Sequence, residues 1–512
     1  MNTILSLYEK QLAESSEGRP ILTVINSRLQ AVSYTHSMLN GSASRAGNCL
    51  LAAGCMPGDR VLISARETLP VWSFFWGALK IGAVPCILFP GLGTGGLAVR
   101  LKAARACFLV TDMDPAKLPD TAAYESLKKV ILLGKPSEDP GTVFYREEEW
   151  SEHLQAAAAD PDDDAFIIFT SGTSGTPKPV MHRQGIADAV VRSMKNILHA
   201  DPSDIYWCTA HPAWITGTVY GILGPVLCGI SSLQYDGSFH AKRWMPILQD
   251  RKVTLWYTAP TALRALMRED PEFFTAYDLS SLKQIYSIGE PLSARVYEWC
   301  AETFRRPVYD TWFQTETGTI RIANQPGREI IPGWMGKPVD DTDILIAEPG
   351  PEGIGKLCLK AGFDSMFRGY YGMPEETARK FSRGYYETGD LAGRGPDGTL
   401  RYEGRADDVI NTSGHLVGPL EVEQVLMTDP SVAAAAVAAE PDDLSYEVPA
   451  AFIILSAGTE WSHELEMKLR VAVNTGVSVY AVPKHFYIVD SLPETASGKI
   501  NRAELRARLA AV

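Results

Sequence analysis

The sequence predicts an α/β protein: a large N-terminal domain of two doubly wound sheets plus a small β-unit, followed by a small α+β C-terminal domain. Three observations lead there. Helical stretches alternate with short apolar runs from Ser33 to Leu133 and again after Asp160, the pattern of parallel strands covered on both faces. The segment from Gly333 to Arg405 is rich in Gly, Pro and aromatic residues, which suits hairpins. Beyond Asp407 come a helix, two strands, a helix and a strand, enough for a compact domain. A chain of 512 residues, 46% of them hydrophobic, has room for two or three such units.

In order, the first stretch reads as a helix from His36 to Ala53, a strand from Arg60 to Ser64, a helix from Pro70 to Ile81, a strand from Val84 to Leu88, and a further helix and strand. The most apolar segment, Val71 to Pro90, is interrupted by Lys80 and Pro85, so it reads as helix then strand rather than as a membrane span. After Asp160 the strand candidates are FIIF, VTLWYTA and LKQIYSIG, separated by helices such as Thr261 to Arg268. DILIAE, GKLCLK and GTLRYEG are the hairpin strands of the β-unit. The last domain reads as helix Leu420 to Met427, strands Val432 to Ala438 and Ala450 to Leu455, helix Glu464 to Asn474, and strand His485 to Val489. The alanine run from Ala433 to Ala439 is expected as a buried strand.

Composition removes several classes of function. A net charge of -13 argues against nucleic-acid binding through a broad basic surface, so a polyanionic ligand needs a local site. The eight cysteines include no CxxC pair and no His cluster beside them, which suggests neither a disulfide framework nor a zinc site. The N-terminus lacks the basic flank of a secretory signal. The expectation is a soluble cytoplasmic protein with no membrane partner.

The most informative string is FIIFTSGTSGTPKPV, from Phe166 to Val180. An apolar strand runs straight into small residues, Thr170 to Thr176, and then into Lys178. Small residues let backbone N–H groups turn toward an anion, hydroxyls add donors, and the ammonium supplies charge. This is not a Walker loop, because Lys178 is followed by Pro179 where Ser or Thr is required. Further on, YDTWFQTETG sets the hydroxyl of Thr315 beside the carboxylate of Glu316. That pairing suits a magnesium nucleotide, one group bonding phosphate and the other reaching the hard cation. Asp390, in YYETGD, follows a strand and a Gly turn, where a carboxylate can accept from ribose hydroxyls or cap the turn.

FIIFTSGTSGTPKPV, HPAWITG from His211, SIGEPLS from Ser287, YDTWFQTETG, YYETGD, GRADDVINTSGH from Gly404 and PETASGKINR from Pro493 occur in that order. Together they resemble the signatures of the adenylate-forming superfamily of acyl-CoA synthetases, luciferases and peptide-synthetase adenylation domains. The likeness spans almost the whole chain and is strongest to the AMP-forming acetyl- and short-chain acyl-CoA synthetases. It implies an acid-thiol ligase that turns ATP, a small carboxylic acid and coenzyme A into acyl-CoA, AMP and pyrophosphate by way of an acyl-adenylate, with Mg2+.

The resemblance also assigns residues. Thr170, Ser171, Gly172, Thr173, Ser174, Gly175, Thr176 and Lys178 would hold the phosphates of ATP. Gly289, Glu290, Pro291, Asp310, Thr311, Trp312 and Gln314 would surround the adenine, and Asp390 with Arg405 the ribose and phosphate. Thr315 would bond the α-phosphate and Glu316 the metal. Lys499, by residue type alone a solvated surface lysine, would bridge the carboxylate and α-phosphate during adenylation, offsetting the repulsion of two anions. Residues 1–406 would form the adenylation domain and residues 407–512 a mobile domain hinged at Asp407. Its rotation would bring Ser413, Gly414 and His415 inward to the coenzyme A tunnel, where a glycine leaves the channel wide.

For the acid, Trp214, Ile215, Thr216 and Phe313 are the expected walls. Acetyl-CoA synthetases commonly have Trp at the place of Phe313, so a somewhat larger pocket is implied here. No Asp stands in His211-Pro212-Ala213-Trp214 to grip a substrate ammonium, against an amino-acid substrate. The expectation is a short acid of about two to six carbons, a width set by the low selectivity per methylene of apolar pockets. Leu416 stands where these relatives usually have Arg, so a carrier protein or other acceptor is the alternative, alongside a medium-chain or aromatic acid.

Overall fold

The computed structural model describes residues 1–16, 18–90, 92–170, 177–339, 342–350, 353–406, 408, 410–412, 415–442, 446–477, 479–494 and 500–509, with no side-chain description at 411, 415, 416 and 446. Strands Val84–Ile87, Arg60–Ser64, Phe108–Thr111, Lys129–Leu132 and Thr142–Phe144 lie side by side in that order, all parallel. The chain leaves Arg60–Ser64 toward one side and then crosses to the other, so the winding direction reverses at that strand. In doubly wound sheets ligands gather outside the carboxyl ends of strands at such a reversal. Helices His36–Ala52 and Leu69–Lys80 pack together at Gly47 and Gly77. A Cβ on Gly77 would lie 2.6 Å from the Ala43 carbonyl, so only glycine lets the two backbones meet.

The second sheet repeats the winding. Val308–Trp312, Gln284–Ser287, Leu255–Thr258, Ile205–Cys208, Ser231–Asp236 and Pro20–Asn26 are parallel neighbours, extended by short antiparallel strands at both edges. Here the winding reverses at Ile205–Cys208, which lies between Ser231–Asp236 and Leu255–Thr258. One continuous core joins the two sheets, with Val61 and Phe108 of the first and Tyr206 and Tyr257 of the second all buried.

One strand lies elsewhere than its apolar run suggests. Asp164–Thr170, which contains FIIF, joins neither parallel sheet but pairs antiparallel with Lys178–Arg183, which in turn pairs with Gly369–Tyr370. The connection to Lys178 is too short for a crossover helix, so the chain must return as a hairpin.

Ile344–Ala347, Gly355–Lys360, Tyr385–Arg394, Phe381–Ser382 and Leu400–Arg405 form the expected antiparallel β-unit. The smaller C-terminal domain packs helices Pro419–Leu426, His463–Gly476 and Arg502–Leu509 on the sheet built around Val432–Asp442 and Tyr446–Leu455. Val422, Leu426, Val437, Ile453 and Leu469 give it a core of its own. All eight cysteines are buried and free. Among the described residues no helix is long and apolar enough to cross a membrane.

Candidate active site

Asp390 is the hub of a buried polar cluster. It lies within the strand Tyr385–Arg394, not after it as the sequence suggested, because the chain stays extended through Gly389 and pairs on to Arg394. Arg405 sits opposite Asp390 in the antiparallel register, and its guanidinium donates to Oδ1 at 3.0 Å. Trp312 Nε1–H and the Gln314 amide donate to Oδ2 at 3.1 and 2.9 Å. The Gln314 carbonyl accepts from the Tyr386 hydroxyl at 2.9 Å. Tyr386, Thr388 and Asp390 are the buried, alternating positions of one strand, so a period of two sets them on one face.

Trp312 ends its strand, and the chain turns through Thr315–Thr317 to Gly318. Gly318 has φ +73°, and a Cβ there would lie 2.3 Å from the Ser365 carbonyl, which explains the glycine of TETG. The turn is pinned from below by His182, whose Nε2–H donates to the Thr315 carbonyl at 2.8 Å while its ring stacks on Phe166. Burial holds the His182 imidazole down to about 4, so it is a neutral donor. Tyr370 OH donates to Glu316 Oε1 at 2.7 Å. Lys178, the first residue of its strand, lies over the Tyr370 ring and pairs with Glu376 at 2.8 Å. Tyr370 thus brings Glu316 and Lys178 together, and Thr315 precedes Glu316 in the same turn.

On the neighbouring strand Ser287 ties both members of the Asp310-Thr311 pair. Its hydroxyl donates to Asp310 Oδ1 at 2.5 Å, and its carbonyl accepts from Thr311 Oγ1 at 2.7 Å. Burial pushes the Asp310 carboxyl up to about 7. Gly289 turns the chain with φ +97°, and Glu290 pairs with Arg264 and Thr261. Pro291 follows directly.

Ile215 and Thr216 are buried, and Phe313 packs edge-on against Tyr220, whose ring lies in the π-helical segment Gly217–Leu223. Trp214, half-buried, meets Phe89 edge-on at 5.1 Å. A separate cavity of about 390 Å3 opens where the second sheet reverses its winding, at the carboxyl ends of Ile205–Cys208, Ser231–Asp236 and Leu255–Thr258. Glu67 enters it from the loop that follows Arg60–Ser64, the reversal strand of the first sheet.

Thr170 ends its strand opposite Lys178. Ser171, Gly172, Thr173, Ser174, Gly175, Thr176, Asp407, Ser413, Gly414 and Lys499 lie outside the described residues, as does the side chain of His415. Sequence reasoning overlooked His182, Tyr370, Tyr386 and Glu376. Only Tyr386 carried a signal, its even spacing from Asp390; the others reach the site by long-range pairing that no local spacing encodes.

Comparison with known proteins places the chain. The AMP-binding enzyme profile matches residues 9–371, and the profile of the AMP-binding enzyme C-terminal domain matches residues 421–499. The chain is 36% identical over 484 residues to the acetyl-coenzyme A synthetase of Bacillus subtilis, covering 93% of this chain and 85% of that protein. It is 33% identical to acetyl-coenzyme A synthetase 2 of Pseudomonas aeruginosa, over 99% of this chain and 84% of the relative. Among solved structures, the anthranilate CoA ligase AuaEII in complex with anthranoyl-AMP superposes with a TM-score of 0.89 at 25% identity, covering 100% of this chain and 98% of that one. An acyl-CoA synthetase from Brucella canis gives 0.75 at 30% identity, covering 100% and 94%.

Proposed function

The chain belongs to the AMP-binding enzymes, and on that premise we propose that it is an AMP-forming acyl-CoA synthetase acting on a short carboxylic acid. ATP and the acid give an acyl-adenylate and pyrophosphate; the thiol of coenzyme A then displaces AMP. The observation that supports this most directly is the convergence of Trp312, Gln314 and Arg405 on Asp390, immediately ahead of the Thr315-Glu316 turn. A buried carboxylate held by three donors is a rigid acceptor for ribose hydroxyls, and the adjoining turn offers a hydroxyl and a second carboxylate toward the phosphates.

Magnesium fits here as a passenger of the nucleotide. Glu316, steadied by Tyr370, is a single oxygen-donor side chain, which suits a cation that keeps its waters and binds chiefly to phosphate. When bound it would neutralise developing charge on the phosphates. The residues from Thr170 to Thr176, together with Lys178, would supply donors to the phosphates. Lys499 would arrive with the C-terminal domain, residues 407–512, by rotation at Asp407, and would then withdraw so that Gly414 can line the thiol's path. Ile215, Thr216 and Phe313 would wall the acyl group, and their tight burial favours a small acid. Such an enzyme would work in the cytoplasm, where ATP and coenzyme A are at hand.

The test is pyrophosphate release measured across a panel of acids with and without coenzyme A, together with Lys499→Ala. Short acids should be favoured, and AMP release should depend on free coenzyme A. Lys499→Ala should abolish adenylate formation yet spare thioester formation from supplied adenylate. A clear preference for benzoate-type or long-chain acids would overturn the substrate, and equal loss of both half-reactions would overturn the two-pose scheme.

A further inference from the structure

The cavity beneath the two winding reversals holds a carboxylate that adenylation does not use. Glu67 comes from the first sheet, and the second sheet fixes it: Gln234 Nε2 donates to its Oε2, and His211 Nε2 stands 3.1 Å from its Oε1. Ala213 N–H donates to His211 Nδ1 at 2.9 Å, so the proton of the neutral ring sits on Nε2, which faces Glu67 Oε1 at 3.1 Å but makes no well-aligned hydrogen bond among the described residues. The wall shares Glu290 with the expected nucleotide site, and Ile215, Thr216 and Phe313 are not part of it. A volume of about 390 Å3 exceeds the need of a short acid and has room for part of a larger acceptor.

Among the described residues of that wall, Glu67 is the carboxylate that burial moves toward neutrality. Burial holds His211 down to about 3 and pushes the Cys208 thiol up to about 12, while Glu290 is tied to Arg264. Burial first, and then the negative charge of Asp236, push the Glu67 carboxyl up to about 8, against the lowering effect of the Gln234 bond. Asp236 in turn feels Arg66 and Asp112. A free thiol ionises only near pH ~8.5, and a base matched to it is the efficient one.

We propose that Glu67 is the proton acceptor for the incoming thiol in the second half-reaction, a role that rests on the acyl-CoA synthetase reading. The S–H bond breaks and its proton passes to the Glu67 carboxylate. Sulfur bonds the acyl carbon, the bond from that carbon to the phosphate oxygen breaks, and AMP leaves with the electron pair. Glu67 then releases the proton to water.

The experiment follows the two half-reactions separately in the full chain, as wild type, Glu67→Gln and Glu67→Asp. Adenylation is read by acid-dependent pyrophosphate exchange, and thioester formation in single turnover on preformed adenylate from pH 6.5 to 10. Glu67→Gln should slow thioester formation by about 10²-fold at neutral pH. The deficit should shrink toward pH 10, where the thiol ionises unaided, and Glu67→Asp should recover part of the rate. A Glu67→Gln enzyme that loses nothing in the thioester step, loses both half-reactions equally, or loses thioester rate by the same factor at every pH overturns the role. So does a shift confined to the KM of the acid, which would place Glu67 against the acyl group. Wild-type protein that makes no acyl-adenylate at all would instead sink the reading on which this rests.

Discussion

Asp390→Asn is the perturbation whose effect the structure specifies most closely. The carboxylate accepts on both sides, from Arg405 at Oδ1 and from Trp312 and Gln314 at Oδ2. An amide has one acceptor oxygen, so one orientation sets its NH2 against a guanidinium and the other sets it against two N–H donors. The Arg405 side chain is 32% exposed and can turn to water, whereas the Trp312 side is buried. The amide oxygen therefore takes the Trp312 and Gln314 side, and the loss is the charge-assisted bond to Arg405.

Such a bond contributes about 1.5–3 kcal/mol. The same replacement removes the negative charge that would accept from the ribose. A loss of about 2 kcal/mol in nucleotide binding corresponds to roughly 30-fold. The KM for ATP in acid-dependent pyrophosphate exchange should rise by that order. Combined with Arg405→Met, the two losses should not add, since both remove one pair. An Asp390→Asn enzyme with an unchanged KM for ATP, or losses that add fully in the double variant, would refute the hub.

Tyr370→Phe removes the hydroxyl that steadies Glu316 but keeps the ring beneath Lys178. Losing one hydrogen bond to a charged group, the variant should adenylate about tenfold more slowly and need more magnesium for half-maximal rate; a wild-type magnesium titration would count against the Glu316 assignment. Asp310→Asn probes the buried carboxyl that burial raises to about 7. Its ordinary value is 3.8, so the fold favours the protonated form, and the stability linked to that proton, complete below the ordinary value, is lost as pH climbs through the raised one. Wild-type thermal stability should fall between about pH 5 and pH 8 by more than that of Asp310→Asn, with differential scanning fluorimetry as the readout; parallel pH curves would show that Asp310 is already ionised.

The layers of this fold were legible because each has its own period. Helix and strand alternation marked both doubly wound sheets, and the short hairpin runs marked the β-unit. FIIF was misread as a parallel strand because its apolar face is indistinguishable from that of a parallel core strand; only the short connection to Lys178 could have revealed the hairpin. Site residues were legible where they sit in strings of fixed local geometry, as TETG does with its required Gly318. His182, Tyr370 and Glu67 act through partners such as Thr315, Glu316 and Gln234, far along the chain, and a side chain's long-range partner leaves no trace in spacing.

The same contacts bear on where the chain should turn between its two domains. Ala406 N–H donates to the Gly389 carbonyl at 2.8 Å, directly beside the pair of Asp390 and Arg405, so the strand is bound to the nucleotide hub up to residue 406. Asp408 is held from the other side, its Oδ1 accepting from Arg506 at 3.2 Å on the last helix of the C-terminal domain. Asp408 N–H also donates to the Arg405 carbonyl at 3.1 Å, so both neighbours of the proposed hinge residue are anchored, and a rotation there would have to break this bond. The proposed rotation would leave the contacts of Asp390 with Trp312 and Gln314 in place while it exchanged what faces the acyl group, the separation that two successive reactions on one bound nucleotide call for.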